Sequence, residues 1–313
     1  MKQAIMFPGL GADYPEMVAT FCQHHPEAIN AIELTIEQGL QLATAFGLHD
    51  VQARRFLHTQ LSIHALNLAW FALQKNNLSP QASCGHSLGF YAAAVTAKAI
   101  SPTDALKILV AAFANAWNQF SGNEKKVAVV TGFVPLLETP LTHYAIEVLS
   151  VNNPTQWLLY GTRSEFDAYI EQAGDRVMRI DYFATALPFH SAEMNDICQH
   201  MEQEFSAMEF CDPHWPLISH IGKTELITTA DQVRWHLINQ LRMPINWPQL
   251  VAQLKTLELD PILEIGPNRI LTQMIRWVDK RINAKCVDIY RVKETTHAVV
   301  NSSSNTTAKV ALA

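Results

Sequence analysis

The sequence predicts an α/β protein in which a β-rich packet interrupts a larger unit dominated by helices. Three observations predict it. A four-residue apolar run, Ala4-Ile5-Met6-Phe7, stands before Pro8 and reads as a first buried strand. A glycine-flanked serine, Gly85-His86-Ser87-Leu88-Gly89, leads into an apolar, alanine-rich run, as at a strand-to-helix turn. At Ser121-Gly122-Asn123 the helical texture gives way to β-branched segments.

Taken in order, residues 2–7 form the strand and Phe7-Pro8-Gly9-Leu10-Gly11 a turn. Residues 15–46 and 60–75 carry apolar positions at helical spacing, the second stopped by Asn76-Asn77. Ser101-Pro102-Thr103-Asp104 reads as an N-cap with proline at the first helical position, opening a helix to about Gln119. Residues 126–133, 144–151 and 156–161 read as strands, the last two joined across Asn152-Asn153-Pro154. A helix over 163–173 and a strand over 175–181 complete a β-β-β-α-β packet. Helical patterning returns after Pro188, and residues 258–265 form a late strand ending at Gly266-Pro267. The expected division is residues 1–121 plus 188–294 as one discontinuous domain, 122–187 as the insertion, and 295–313 as a polar, flexible tail.

Composition removes several function classes. Of 313 residues, 49% are hydrophobic and 17% charged, with net charge -6, so a packed core is expected and a basic face for nucleic acid is not. The five cysteines are odd in number and lack a CxxC, which argues against a disulfide framework or a cysteine-only zinc site and for a reducing, cytoplasmic setting. No window holds about 18 uninterrupted apolar residues; the closest, Ala92 to Ala116, is broken by Lys98, Asp104 and Lys107, so no membrane span is expected. The pairs His58/His64 and His214/His220 lack helical ligand spacing, so no metal is expected.

The serine pentapeptide matches G-x-S-x-G. A serine held on a sharp turn needs almost no side chain two residues before and after it, so that the chain can double back and present the hydroxyl. The following helix points its N-terminal amides at the serine and favours negative charge there. Such a hydroxyl needs a base. His190, in Leu187-Pro188-Phe189-His190-Ser191, follows a strand at a proline-marked turn and is the best candidate. Most of the other 12 histidines sit in helical or polar contexts that read as surface.

Six ordered segments, FPGLG (7–11), GHSLGFYAAAV (85–95), NNPTQ (152–156), LPFHS (187–191), QLRMPINW (240–247) and LEIGPNRIL (263–271), together resemble the malonyl-CoA:acyl-carrier-protein acyltransferase family of fatty acid and polyketide synthesis. Thr59-Gln60 also looks like that family, and the resemblance covers about residues 3–280. It implies an α/β-hydrolase-like large domain with an inserted ferredoxin-like subdomain. It implies Ser87 as a nucleophile that becomes acylated by a thioester, and His190 as its general base and then acid. The backbone carbonyl of Gln240 would orient the imidazole, and the N–H groups of Leu88 and Leu10 would form the oxyanion hole. Gln60, Asn152 and Phe189 would line the site. The resemblance implies no tightly bound cofactor and no metal. The substrate is a phosphopantetheine thioester on CoA or on an acyl carrier protein, the expected partner, with Arg54-Arg55, Arg269, Arg276 and Lys280-Arg281 as candidate contacts to its acidic surface.

Three departures bear on the substrate. The glutamine of the family's FPGQG is Leu10, and the glutamate after its GHSLG is Phe90. The arginine that forks onto malonate falls at Ala112, and no arginine lies between Arg55 and Arg163. Burying a malonyl carboxylate without that partner costs several kcal/mol. Ala111, Ala112, Phe113 and Phe90 instead predict an apolar acyl pocket. The preferred expectation is a non-malonyl acyl-thioester enzyme, passing the acyl group to water as an editing hydrolase or to another carrier thiol. The alternatives are a malonyl transferase that binds carboxylate another way, for instance through Lys107 or a histidine, and a non-catalytic docking protein of a synthase complex.

Overall fold

The computed structural model describes residues 2–9, 14–136, 141, 143–222, 225–267 and 269–287. Strand β1 (Gln3–Phe7) is followed by helices α1 (Tyr14–His24), α2 (Ile29–Ala45) and α3 (Val51–Gln74). Strand β2 (Pro80–Gly85) turns into α4 (Gly89–Thr96), and α5 (Pro102–Phe120) closes this part. Next come β3 (Lys126–Gly132), β4 (Glu147–Asn153), β5 (Gln156–Gly161), α6 (Arg163–Ala173) and β6 (Val177–Tyr182). The chain then runs through α7 (Asn195–Glu204), β7 (Leu217–Ile218), β8 (Leu226–Ile227), α8 (Ala230–Asn239), β9 (Ile245–Asn246), α9 (Trp247–Thr256), β10 (Ile262–Glu264), α10 (Ile270–Val278) and β11 (Ala284–Cys286).

Six strands form the large sheet, in the order β11-β10-β1-β2-β7-β8, parallel except for the β7–β8 pair. Successive residues of β1 point to opposite faces. Ile5 and Phe7 enter one apolar core with residues of α3, α4 and α5, while Ala4 and Met6 enter a second with Trp247 and Leu250 of α9 and Ile275 of α10. Helices therefore cover both faces, as a parallel sheet requires.

The β-rich packet folds as read, with strand order β6-β3-β5-β4 and antiparallel pairing throughout. Ala128 and Val130 of β3 pack under Phe166 and Tyr169 of α6. Val127, one position over, packs on the opposite face with Leu149 and Tyr160.

Several expectations change. The small sheet takes a fifth strand from outside 122–187: β9 pairs parallel with β4, Ser150 opposite Ile245. At two residues, β9 is too short to show an alternation. The helical span read over 15–46 is two helices broken at His25-Pro26, where the ring lacks the N–H that a continuing helix needs. The helix read from residue 60 starts at Val51, capped by Asp50, whose carboxylate accepts from the Ala53 N–H at 2.7 Å. The late strand shortens to β10 behind Pro261. Ser101 caps α5 as read, accepting from the Asp104 N–H at 3.0 Å. The tail at 295–313 lies outside the described residues.

Candidate active site

Ser87 sits between β2 and α4 with φ +51°, the left-handed region that side chains resist. Its flanking glycines have steric reasons. A Cβ on Gly85 would strike the backbone of Gly89 and Phe90, and one on Gly89 would strike the Phe7 carbonyl. The turn is tied down by Gly89 N–H to His86 O and Phe90 N–H to Ser87 O, both 2.9 Å, and by His86 N–H to Phe7 O at 3.1 Å. Asn67, fully buried on α3, donates to the Pro8 carbonyl at 2.9 Å and fixes the neighbouring turn.

Ser87 Oγ lies 2.7 Å from His190 Nε2, and His190 Nδ1 lies 2.8 Å from the Gln240 carbonyl oxygen. A carbonyl only accepts, so Nδ1 carries the proton and Nε2 presents its lone pair to the serine hydroxyl. His190 has φ +71° and its own N–H donates to Leu241 O at 2.6 Å, so both its backbone and its ring are anchored on 240–241. Burial holds the imidazole neutral, pulling its pKa down to about 4 against the opposing pull of the Gln240 and Met243 backbone. Among the described residues the Leu88 N–H, at the N-terminus of α4 beside Ser87, has no acceptor. Leu10, the other expected donor, lies outside the described residues.

Two cavities meet at this pair. The larger, about 630 Å³, is a cleft between the bare face of the small sheet and the catalytic unit. Val127, Val129, Leu149 and Leu158 form one wall, and Ile270, Met274 and Trp277 of α10 the other. Polar side chains interrupt it, among them Thr131, Asn152, Asn153, Gln156 and Gln273. At its mouth Phe133 is 67% exposed and Trp277 71%. The smaller recess, about 40 Å³, lies behind Ser87 between α4 and α5, lined by Leu88, Tyr91, Leu109, Ala112 and Leu241. Gln60, Ser87, Phe189 and His190 border both.

The structure thus brings Ser87, His190, the Gln240 carbonyl, Leu88, Gln60, Asn152, Phe189 and Ala112 together. Three expected lining residues do not belong, and the first, Ala111, is buried on α5 and borders neither cavity. Phe113 is one residue, some 100°, beyond Ala112 on its helix; it points into the core and stacks on Trp117 at 6.0 Å. Phe90 is fully buried on the far side of α4, its ring 4.2 Å from that of His236 and 5.3 Å from that of His220. The histidines expected at the surface are corrected likewise: His64, His220 and His236 are buried and His86 is half-buried, and all four are held neutral, desolvation being the main cause in each. His86 borders the cleft beside Ser87, and the nearby Asn152 side chain opposes the lowering of its pKa by burial and by His190. Tyr91, Leu109 and Leu241 escaped sequence reasoning, although Leu109 stands one turn before Ala112 and Tyr91 one turn after Ser87.

Neither cavity has a lysine or arginine among its described lining residues. Lys107 is turned away and pairs with Asp104 at 3.0 Å. Of the cations considered for carrier contacts, Arg54 is spent on the carbonyls of Leu40 and Leu48, and Arg281 pairs with Asp279. Arg276 and Lys280 are exposed, as is Trp277. No described helix is long and apolar enough to cross a membrane, and no described cluster of His, Cys, Asp and Glu could hold a metal.

A family model described as an acyl transferase domain matches residues 6–301. The malonyl CoA-acyl carrier protein transacylase of Bacillus subtilis is 23% identical over 296 residues, covering 90% of this chain and 72% of that protein. The enzyme of the same name from Staphylococcus aureus strain MRSA252 is 25% identical over 291 residues, covering 90% and 94%. Among solved structures, the malonyl-CoA:acyl carrier protein transacylase of Helicobacter pylori superposes with TM-score 0.79 at 18% identity, over 95% of this chain and 98% of that one. A chain from a complex of a type II polyketide synthase acyl-carrier protein with its malonyl-transacylase gives 0.78 at 21%, over 92% and 96%. At these identities the superpositions establish the fold: a large α/β domain with a small ferredoxin-like subdomain.

Proposed function

Because this chain belongs to the acyl transferase domain family, we propose that Ser87 carries an uncharged acyl group taken from a phosphopantetheine thioester on an acyl carrier protein or CoA. His190 Nε2 takes the Ser87 hydroxyl proton as the oxygen attacks the thioester carbonyl. The oxyanion is met by the Leu88 N–H, with Leu10 N–H as the second donor; removing one such donor typically costs about 3 kcal/mol of barrier. The imidazolium keeps its Nδ1–H bond to Gln240 O. It then returns the Nε2 proton to the departing sulfur, leaving acyl-Ser87 and a free thiol. A second carrier thiol, deprotonated by the same nitrogen, reverses the sequence and takes the acyl group. Water in place of that thiol makes the enzyme an editing hydrolase.

The single observation that carries the uncharged acyl group is that the Ser87–His190 pair opens on two cavities whose described linings hold no cation. The exposed rim at Phe133 and Trp277, with Arg276 and Lys280 beside it, supports an acidic carrier protein as partner. The two sheets support a division into 1–121 plus 188–294 around 122–187, with β9 crossing over. No bound cofactor takes part, since the chain's own groups move every proton.

A second reading, malonyl transfer, is favoured by the names of the relatives. Intact-mass measurement of Ser87 acylation by acetyl and malonyl thioesters separates the two. Fast acetylation and slow malonylation support the proposal, and the reverse order replaces it with the second reading. Release of free acid, without a thiol acceptor, identifies hydrolysis. Unchanged turnover in Ser87→Ala would overturn the mechanism, and a wild type that neither acylates nor turns over would favour the docking role.

A further inference from the structure

We propose that Glu193 is a positioning residue: its carboxylate clamps the small sheet to the turn that carries His190 and so sets the width of the cleft. This rests on the acyl-Ser87 reading above and adds to it what holds the two walls of the cleft together.

The chain enters the small sheet through residues 121–125 and leaves it through 183–189. The pairing of β9 with β4 joins the two parts through only two residues of each strand. A hinge of a few such residues lets a sheet rock unless side chains fix its angle.

Glu193 supplies that fixing. One carboxylate oxygen pairs with the Lys125 ammonium, and the other accepts from the Tyr160 hydroxyl at 2.9 Å. Asn123 donates to the Tyr160 oxygen at 2.9 Å and accepts from the Lys125 N–H at 2.9 Å. The Lys125 ammonium also lies 4.8 Å from the centre of the Tyr160 ring. Tyr160 is fully buried, and burial, then Glu193, raises its pKa, so the hydroxyl keeps the proton it donates. Among the described residues, Lys125–Glu193 is the one ion pair that joins residues 122–187 to the rest of the chain.

Both ends of this clamp lead to the site. Glu193 lies in the short turn Ala192–Met194, three residues after His190. Ser191 locks that turn: its hydroxyl donates to Pro188 O at 2.7 Å and accepts from the Glu193 N–H at 3.2 Å. At the other end, Tyr160 stands two residues from Leu158 on β5, on the same face. It packs with Val127 and Leu149, which with Leu158 wall the cleft. Glu193, Lys125 and Tyr160 themselves border neither cavity, so their pull reaches a substrate through that wall. A pantetheine arm enters by the cleft, the larger space, which opens at the exposed Phe133 and Trp277. Its width governs the grip on the arm rather than the chemistry at Ser87.

The test compares two thioesters of one acyl group, acetyl, or malonyl where that acylates Ser87 faster. Acyl-CoA carries the whole arm, and the N-acetylcysteamine thioester keeps only the end next to the sulfur. The concentration dependence of Ser87 acylation, read by intact mass, gives a half-saturating concentration and a limiting rate for each. Glu193→Ala should raise the half-saturating concentration of acyl-CoA at least about tenfold with little change in limiting rate, and leave the truncated thioester within about twofold. Tyr160→Phe, which loses only the hydroxyl, should give a smaller shift in the same direction; it keeps the test alive where Glu193→Ala fails to fold. Equal losses on both thioesters would mean that Glu193 acts on His190 through its own turn, and would overturn the clamp. No loss on either would leave an ordinary surface ion pair and overturn it too. A wild type that takes both thioesters equally well does not hold the arm in the cleft, and the proposal falls while acyl-Ser87 stands. Absence of any adduct in the wild type removes both.

Discussion

The ring of His190 is oriented by a main-chain oxygen: Nδ1 lies 2.8 Å from the carbonyl of Gln240, and both residues are buried. In a serine triad that place belongs to a carboxylate. A carbonyl fixes the tautomer equally well but brings no full charge, so less is gained when the ring becomes cationic. It also makes the orienting group independent of the side chain at 240. Gln240→Ala should therefore lose under about tenfold in acylation rate, whereas His190→Ala should lose at least about 1000-fold. A Gln240→Ala loss as large as that of His190→Ala would mean that the amide side chain, not the carbonyl, does the orienting.

Burial sets the pH range over which His190 works as a base. Its pKa is pulled to about 4 from 6.5, and only the neutral ring can accept the Ser87 proton. The acid limb of the acylation rate should thus fall with a midpoint near pH 4. Stopped-flow pH jumps, which outrun any unfolding, give the profile. A midpoint at the ordinary histidine value would show that water reaches the ring before substrate does.

Much of this site is legible in the sequence, and the rest is hidden for physical reasons. Gly85 and Gly89 announce the serine turn because their steric need is local, and Ser101 announces α5 because a cap is local too. The β-β-β-α-β order shows in alternation along each strand. Which residue of α5 faces Ser87 is another matter. Ala112 does and Phe113 does not, and only the packing of α5 against its neighbours rotates one inward rather than the other. His220 and His236 come from separate segments and look polar in isolation; they are buried because Phe90 and His190 meet them there.

Those buried rings link stability to pH. His64, His86, His190, His220 and His236 all have pKa values lowered by burial. The unfolded chain binds their protons below about 6.5, while in the folded chain His64, His86 and His190 stay neutral until pH falls toward 4, His236 until about 3, and His220 is likewise held well below the ordinary value. Stability is therefore complete above pH 6.5 and declines between 6.5 and about 4, by about 1.4 kcal/mol per pH unit for each ring. His64 is the ring to remove, since it lies on α3 outside both cavities and its two nitrogens are buried without partners among the described residues. His64→Leu should lessen the pH dependence of the urea midpoint between pH 6.5 and 5 by one proton. It should also raise stability at pH 5.5 by about 1–2 kcal/mol. An unchanged pH slope would show that His64 is not held neutral.

Glu264 ties the large sheet to the helix that walls the cleft. Its carboxylate, fully buried at the end of β10, accepts from the Leu271 N–H at 3.0 Å, the Thr272 N–H at 2.8 Å and the Thr272 hydroxyl at 2.6 Å. These are donors of the first turn of α10, where a negative group is also favoured by the helix dipole. Glu264→Ala leaves three buried donors without an acceptor and should cost about 3–5 kcal/mol. The same helix carries Ile270, Met274 and Trp277 into the cleft, so its loosening should reach the substrate. In Glu264→Gln, which keeps one acceptor oxygen, the folded enzyme should show a raised KM for acyl carrier substrates with kcat little changed. Calorimetry on both variants, with steady-state kinetics on Glu264→Gln, checks the pair of effects. A fall in kcat at constant KM would locate the influence of Glu264 at Ser87 rather than at the cleft wall.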